Sequence, residues 1–217
     1  MRDLLERMAE EAGRGDMDID LPVYRAAGRD PTWPILLGCG SLEAEVGVFG
    51  RDPGRFEVVH EEPFIGKGGQ LIRDGFHRAR HGACCPSVEA SVEVGRSVFW
   101  CNTVPYKPTG NKAWSVKVKR RFIEPIATLM AERWQGRDLI TCGNVAFDWF
   151  RLAEPSLKSE LATFWAREDR YEASLTVELR GKSMRLHPLP HPSPLNATWY
   201  KRFPELLDAR LQALGWQ

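Results

Sequence analysis

Short apolar runs alternate with helical patterns along most of the chain. Four runs have the character of buried strands that end in loops: Glu45–Gly50, Ser97–Asn102, Asp138–Gly143 and Met184–Pro190. Helical patterns lie between them, at Gly69–Arg80, Lys119–Trp134 and Val145–Leu152. Strands that alternate with helices form parallel sheets covered on both faces, so this pattern predicts an α/β fold: three α/β/α layers with a central, mostly parallel, four-stranded sheet.

The two ends of the chain add further elements. Residues 1–16 show an amphipathic helical pattern broken by charges, which is not the pattern of a secretory signal. Residues 170–189 resemble a hairpin that turns at Gly181, and Tyr200–Leu214 predicts a C-terminal amphipathic helix. Because no linker divides the chain, we expect a single domain over residues 1–217, with residues 1–30 as a helical extension.

Composition narrows the class of protein. The chain has 217 residues, 43% hydrophobic and 27% charged, which suits one globular domain that needs no metal or disulfide to fold. No apolar run approaches the roughly 20 residues of a membrane span. An odd number of cysteines without a CxxC pair favours reduced thiols in a cytoplasm and argues against a metal site: Cys39, Cys84, Cys85, Cys101 and Cys142.

Charge is distributed unevenly although the net charge is only +1. Between Asn102 and Arg121 there is no acidic residue, while six basic residues occur there: Lys107, Lys112, Lys117, Lys119, Arg120 and Arg121. Such a basic strip suits a face that binds a polyanion. It suits equally well a solvated loop that leads into a helix.

Polar residues follow the predicted strands directly. They are Arg51–Gly54, Asn102–Thr103, Gly143–Asn144 and His191–Ser193. The ligand crevice of an open parallel sheet lies at the carboxyl ends of its strands, so we expect these residues to share one rim. The prolines of the segment LPHPSPLN fix the backbone around His191, as suits a side chain that must not move.

Four separated stretches carry a resemblance to a known family. They are GRDPG (Gly50–Gly54), EEPFIGKGGQLI (Glu61–Ile72), CNTVPYKPTGNK (Cys101–Lys112) and HPSPLN (His191–Asn196). In this order they resemble the motifs of the uracil-DNA glycosylase superfamily: the water-activating loop, two segments of its iron–sulfur branch and the HPSPL loop of its housekeeping branch. The resemblance runs from about Ile35 to Leu214.

The resemblance implies a DNA repair enzyme that flips a base out of DNA and hydrolyses its N-glycosidic bond. Asp52 would position the attacking water and face the cationic sugar, while His191 would donate a hydrogen bond to uracil O2 as negative charge develops there. Gly50, Arg51 and Pro53 would bind the substrate as parts of the same loop as Asp52.

Two further residues are expected to bind the flipped base. Phe64 would stack on its face, and Asn102 would read the O4 and N3–H edge of uracil, because an amide offers both an acceptor and donors. Leu195 would wedge into the base stack and fill the vacated space. The remaining DNA contacts implied by the resemblance are those of Ser193, Lys112, Lys201 and Arg202.

The sequence also departs from the family motifs. Tyr106 occupies a position that carries a cysteine ligand in the iron–sulfur branch, so we expect no cluster and no other cofactor. Gly54 stands where the housekeeping branch has a tyrosine that excludes thymine, so that role falls to the segment Arg55–Glu62. The loop after Asn102 lacks the histidine with which a related branch traps DNA covalently, which predicts plain hydrolysis to an abasic site.

Three functions therefore stay open. The first is a monofunctional, metal-free uracil-DNA glycosylase that acts as a monomer on uracil-containing DNA in the cytoplasm, near a bacterial nucleoid. The second keeps the fold but changes the base to another deaminated one, such as hypoxanthine or xanthine. The third is a protein that binds uracil or abasic sites without turnover. Asp52 and His191 argue against it, because a binding protein needs no water-positioning carboxylate.

Overall fold

One five-stranded sheet forms the centre of the computed structural model, which describes residues 1–35 and 40–216. Its strands are β1 Val46–Gly50, β2 Phe99–Asn102, β3 Asp138–Cys142, β4 Leu175–Leu179 and β5 Lys182–Leu189. They lie in the order β2-β1-β3-β5-β4, and every neighbouring pair is parallel except β4 and β5. The predicted α/β class and the mostly parallel sheet are confirmed.

The sheet has one strand more than the four predicted. The additional strand, β4, is the first arm of the predicted hairpin, which turns at Arg180 and Gly181, both with positive φ. Val177 and Leu179 are buried while the residues between and before them are more exposed, a pattern typical of an edge strand. The prediction counted only the second arm of this hairpin among the sheet strands.

Helices cover both faces of the sheet. They are α1 Arg2–Gly13, α2 Leu21–Ala27, α3 Arg55–His60, α4 Lys67–His81, α5 Val88–Gly95, α6 Val116–Thr128, α7 Asn144–Phe147, α8 Phe150–Ala153, α9 Lys158–Trp165 and α10 Ala197–Ala213. A π-helical turn, Leu129–Arg133, extends α6, and the helix predicted over Val145–Leu152 is divided between α7 and α8. Within residues 1–35 and 40–216, no helix combines the length and the apolar character needed to cross a membrane.

The side chains of the strands alternate between two hydrophobic cores. Val46 and Val48 pack with α4, α5 and α10 on one face, whereas Phe49 packs on the other face with α6 to α9. Leu4 and Met8 of α1 are buried in this second core. The three-layer α/β/α arrangement is therefore as predicted.

The carboxyl ends of the four parallel strands meet at one edge of the sheet. Gly50 pairs with Asn102 at the ends of β1 and β2, and Cys142 pairs with Leu189 at the ends of β3 and β5. The loops that follow all leave from this edge, so the residues predicted to share a rim do so.

Candidate active site

A cavity of about 510 Å³ opens at this edge of the sheet. Nine of the predicted site residues line it: Gly50, Arg51, Asp52, Pro53, Phe64, Asn102, His191, Ser193 and Leu195. The other three, Lys112, Lys201 and Arg202, are exposed and lie outside its lining. The first nine form one site, and the three basic residues belong to the surface around it.

Asp52 follows β1 and is only 1% exposed in its side chain. Its Oδ2 lies 2.9 Å from Nε of Arg51, although within the described part of the chain neither carboxylate oxygen has a well-aligned hydrogen-bond donor. Burial raises the pKa of Asp52 to about 7, against the opposing effect of the charges of Arg51 and Lys119. The carboxylate thus keeps free acceptor positions that a water molecule can use.

Arg51 ties the loop after β1 to the loop after β2. Its guanidinium donates a hydrogen bond to the carbonyl of Asn111 at 3.0 Å. Its own carbonyl accepts hydrogen bonds from Oγ1 of Thr103 at 2.7 Å and from the amide of Thr103 at 3.0 Å. These bonds fix the backbone on which Asp52 stands.

Glu57 joins the Asp52 loop to the Phe64 loop. This buried carboxylate in α3 accepts hydrogen bonds from the amide of Gly54 at 2.9 Å and from the amide of Gly66 at 2.7 Å. One bond is half of a capping box, and the other reaches the residue that caps α4. The carboxylate of Glu57 therefore sets the separation of the two loops.

Phe64 has a backbone conformation that bulky residues rarely adopt, with φ of 55°. A Cβ atom at Gly50 would lie 2.6 Å from two atoms of the Phe64 ring, so the ring rests directly on the end of β1. The other neighbour of the ring is Trp100, with centroids 5.1 Å apart. Backbone strain of this kind concentrates at functional sites, where surrounding contacts hold it in place.

Arg73 supplies those contacts from α4. Its fully buried guanidinium donates hydrogen bonds to the carbonyls of Phe64 at 2.8 Å, Pro63 at 2.6 Å and Ser91 at 2.6 Å. It also lies 4.8 Å from the centroid of the Trp100 ring. Arg73 thereby fixes the loop that presents Phe64 to the cavity.

Asn102 ends β2 with a side chain that points into the cavity and is 3% exposed as a residue. Its Oδ1 is buried, and no residue that the structure describes donates a hydrogen bond to it. An unpaired buried acceptor costs about 1–3 kcal/mol, so it marks a position where a ligand can donate. The geometry suits a ligand that carries a hydrogen-bond donor on its edge.

His191 stands at the mouth of the cavity in the proline-rich loop. The loop packs against the start of α4, where a Cβ atom at Gly68 would lie 2.3 Å from the carbonyl oxygen of Pro192. Enclosure by neighbouring atoms, and then the charge of Arg51, lower the pKa of His191. A lowered pKa favours the neutral imidazole, which retains one N–H to donate.

The tip of the same loop is exposed. Oγ of Ser193 accepts a hydrogen bond from the amide of Leu195 at 3.3 Å, and the Leu195 side chain is 97% exposed. An apolar side chain held this far out of the protein has the form of a wedge.

The basic strip is not one continuous face. Lys107 is 4% exposed and pairs with Asp20 at 2.6 Å, whereas Arg121 pairs with Glu11 and Asp16. Lys119 is buried near Asp52, and that burial lowers the pKa of Lys119. Half of the basic residues in the strip are therefore buried or paired within the protein. Only the exposed ones, such as Lys112, remain candidates for binding a polyanion.

One of the cysteines, Cys142, lines the active-site cavity. Four are free thiols, of which Cys101 and Cys142 are buried, while Cys39 lies outside the described residues. Among the described positions, no three histidine, cysteine or acidic side chains converge in a way that could hold a metal ion.

Two supporting residues escaped the sequence analysis. Glu57 has a visible signal, since it lies three residues after Gly54, the spacing of a capping box. Arg73 has none, because an arginine within a helical pattern is usually exposed.

One cavity thus brings together an aspartate loop, an amide, an aromatic ring and a histidine. Such a site can hold a planar ligand beside a buried carboxylate. The family model of the uracil DNA glycosylase superfamily matches residues 37–215. The chain therefore belongs to this superfamily, which confirms the resemblance seen in its motifs and implies DNA glycosylase activity in base excision repair. No curated protein sequence matches the chain significantly.

Proposed function

We propose that the protein is a monofunctional uracil-DNA glycosylase that hydrolyses the N-glycosidic bond of deoxyuridine and leaves an abasic site. The observation that carries this proposal is the buried, unpaired Oδ1 of Asn102 at the end of the cavity that holds Asp52. The N3–H of uracil can donate to this oxygen, while the amide nitrogen donates to O4. Cytosine presents the opposite pattern of donors and acceptors at the same edge.

Asp52 acts on the sugar side of the bond. As the bond breaks, positive charge develops on the sugar, as in the oxocarbenium-like transition state of glycosidases. The Asp52 carboxylate lies in a buried site where it stabilises this charge strongly, and its open lone pairs orient the attacking water. Arg51 and the bonds to Thr103 hold it in place.

His191 acts on the base side. The departing uracil carries negative charge, which the N–H of a neutral imidazole stabilises when it is already directed at O2. The surrounding prolines keep this donor in position, so little reorganisation is needed during the reaction.

The remaining predicted residues bind the DNA. Phe64 stacks on the base, an interaction worth about 1–3 kcal/mol, and Leu195 fills the space that the base leaves in the duplex. Hydrogen bonds and charges for the flanking phosphates come from Ser193, Lys112, Lys201 and Arg202.

The size of the cavity beside Gly54 also favours a second candidate substrate. Gly54 lines the cavity without a side chain to restrict it, and about 510 Å³ leaves room for a base larger than uracil, such as hypoxanthine. Phe56 lies in the segment Arg55–Glu62, lines the cavity and is 53% exposed, so we propose it as the residue that excludes the thymine methyl group.

We also propose that residues 1–217 act as one monomeric domain in the compartment that contains the DNA. The support is that α1 belongs to the same hydrophobic core as the sheet, and that Arg121 of α6 binds Glu11 of α1 at 2.7 Å.

A panel of labelled oligonucleotides tests the proposed function. Each carries one uracil, hypoxanthine, xanthine or mismatched thymine, and alkali converts abasic sites into strand breaks. We expect breakage at uracil, and loss of the preference for uracil over thymine in Phe56→Ala. Strand breakage at another base but not at uracil would identify that base as the substrate. Binding of the oligonucleotides without strand breakage would contradict an enzymatic role.

A further inference from the structure

A second cavity, of about 430 Å³, lies on the other side of His191. It shares Arg51, Cys142 and His191 with the active-site cavity, so the two are in direct contact. The rest of its lining comes from the start of α7, from the end of α9 and the segment after it, and from the start of α10: Gly143, Asn144, Val145, Trp165, Tyr171, Asn196 and Trp199. We call it the aromatic cavity.

Three aromatic rings give the cavity its character. Tyr171 packs edge-to-face on Trp199 with centroids 4.8 Å apart, and on Trp165 with centroids 6.1 Å apart. All three residues are half-buried, unlike the fully buried Trp134 and Trp149 of the core. An edge-to-face contact covers only part of a ring, and these half-buried rings keep exposed surface on which a base can stack.

The charges around the cavity suit a nucleic acid. Its lining includes Arg51 and, among the residues described, no aspartate or glutamate. Arg202 lies over the Trp199 ring, 5.1 Å from its centroid, and Arg170 lies over the Tyr171 ring, 4.8 Å from its centroid, so each of these rings carries a cation on one face. Asn144 and Asn196 add hydrogen-bonding groups for the edge of a base or for a phosphate.

We infer that the aromatic cavity binds the unpaired base adjacent to the target nucleotide on the same DNA strand. The inference rests on the proposed function, because it takes the active-site cavity to hold the target base. With the target base on one side of His191, its neighbour can enter on the other side. In a duplex the neighbour stays paired and stacked, so the cavity favours single-stranded or locally unpaired DNA.

Two single-stranded substrates test this directly. Both carry one deoxyuridine, flanked in one by ordinary nucleotides and in the other by tetrahydrofuran residues that lack bases. Stacking of one base predicts that kcat/KM of the wild type is about tenfold higher with flanking bases. In Trp199→Ala the kcat/KM values for the two substrates should become equal. In Trp199→Phe, which keeps a ring, most of the difference between them should remain. Because each enzyme is compared with itself, a folding defect cancels out.

Equal kcat/KM on the two substrates in the wild type overturns the inference, as does a ratio that survives in both Trp199→Ala and Asn144→Ala. Asn144 is exposed, so its replacement leaves the core intact.

A binding experiment separates this inference from the proposed function. It uses 2-aminopurine beside a 2′-fluorinated deoxyuridine that resists hydrolysis. If wild type quenches the 2-aminopurine fluorescence and Trp199→Ala does not, the aromatic cavity binds the neighbouring base. This conclusion holds even if no substrate releases uracil, and the lack of release would contradict only the proposed function. Normal uracil release with unquenched 2-aminopurine contradicts the inference alone.

Discussion

The ring of Phe64 rests on the backbone of Gly50, so closely that any side chain at position 50 would collide with it. Gly50 ends β1, and the next residues carry Asp52 into the cavity. The surface proposed to stack on the base and the proposed water-positioning loop are thus packed against each other. The Phe64 ring can hold this position only because residue 50 is a glycine and has no Cβ atom.

Gly50→Ala should therefore impair uracil release more than stability. The new methyl group displaces the Phe64 ring, and we expect kcat/KM to fall by about tenfold or more, as the loss of base stacking predicts. Steady-state kinetics on a uracil oligonucleotide measure the change. The matched control is Gly13→Ala, where the added atom meets nothing within 4 Å at the end of α1. Wild-type kinetics in Gly50→Ala would contradict the role of the contact.

Removal of the Glu57 carboxylate should weaken both stability and activity. Glu57→Ala leaves the partly buried amides of Gly54 and Gly66 without their acceptor, at a cost of about 1 kcal/mol each in the free energy of unfolding. Urea denaturation measures the loss, and uracil release should fall because the two loops separate.

Two variants make the Glu57 result specific. Glu57→Gln keeps one acceptor oxygen and should lie between wild type and Glu57→Ala in both measurements. Glu160→Ala removes an exposed carboxylate from α9 and should change neither. If Glu57→Ala and Glu160→Ala had the same free energy of unfolding, the hydrogen bonds of Glu57 would make no net contribution to stability.

Activity should depend on pH through Asp52. Burial raises the pKa of Asp52 to about 7, and the proposed mechanism needs the ionised form. The single-turnover rate should rise about tenfold per pH unit below this value and level off above it. The lowered pKa of His191 favours the neutral imidazole that the proposed mechanism needs, so we assign the rise to Asp52. A flat profile between pH 5 and 8 would argue against Asp52 as the essential carboxylate.

The same pKa has the opposite effect on stability. The folded state holds the Asp52 proton more tightly than the unfolded state, whose pKa is near 3.8, so this group's contribution to stability is lost as pH rises from about 4 through about 7. Asp52→Asn removes the buried charge, so at pH 8 its free energy of unfolding should exceed that of wild type by an amount on the order of 4 kcal/mol, and its melting temperature should be higher. The advantage should disappear near pH 4. Melting curves at the two pH values measure it.

Leu195→Ala should act on duplex DNA without affecting the fold. A side chain that is 97% exposed contributes almost nothing to the core, so the melting temperature should stay within about 1 °C of wild type. Excision from duplex should fall several-fold because nothing holds the base stack open, while excision from single strands should change less. Equal losses on both substrates would rule out a wedge.

Much of the site could be predicted because its residues follow strand ends. A buried strand is recognisable from its apolar run, and the parallel order then places Asp52, Asn102 and His191 at one edge. Strand β4 is harder to predict, because exposed residues such as Thr176 and Glu178 interrupt its apolar run and only the hairpin turn indicates it.

Partners across the chain could not be predicted. Nothing local links Lys107 to Asp20 or Arg121 to Glu11, so the basic strip suggested an exposed face that the fold divides. Arg73 is a similar case, because the carbonyls of Pro63, Phe64 and Ser91 come together around it only in the folded state.

The most direct test of the proposed mechanism is the single-turnover rate of uracil release at pH 8 by wild type, Asp52→Asn and His191→Ala, measured together with the dissociation constant for a uracil oligonucleotide. We predict rates lower by about 10²–10⁴ for Asp52→Asn and about 10²–10³ for His191→Ala, with DNA binding within a few-fold of wild type. Wild-type rates in both variants would contradict the account, because the cavity would then not be the place where the bond is broken.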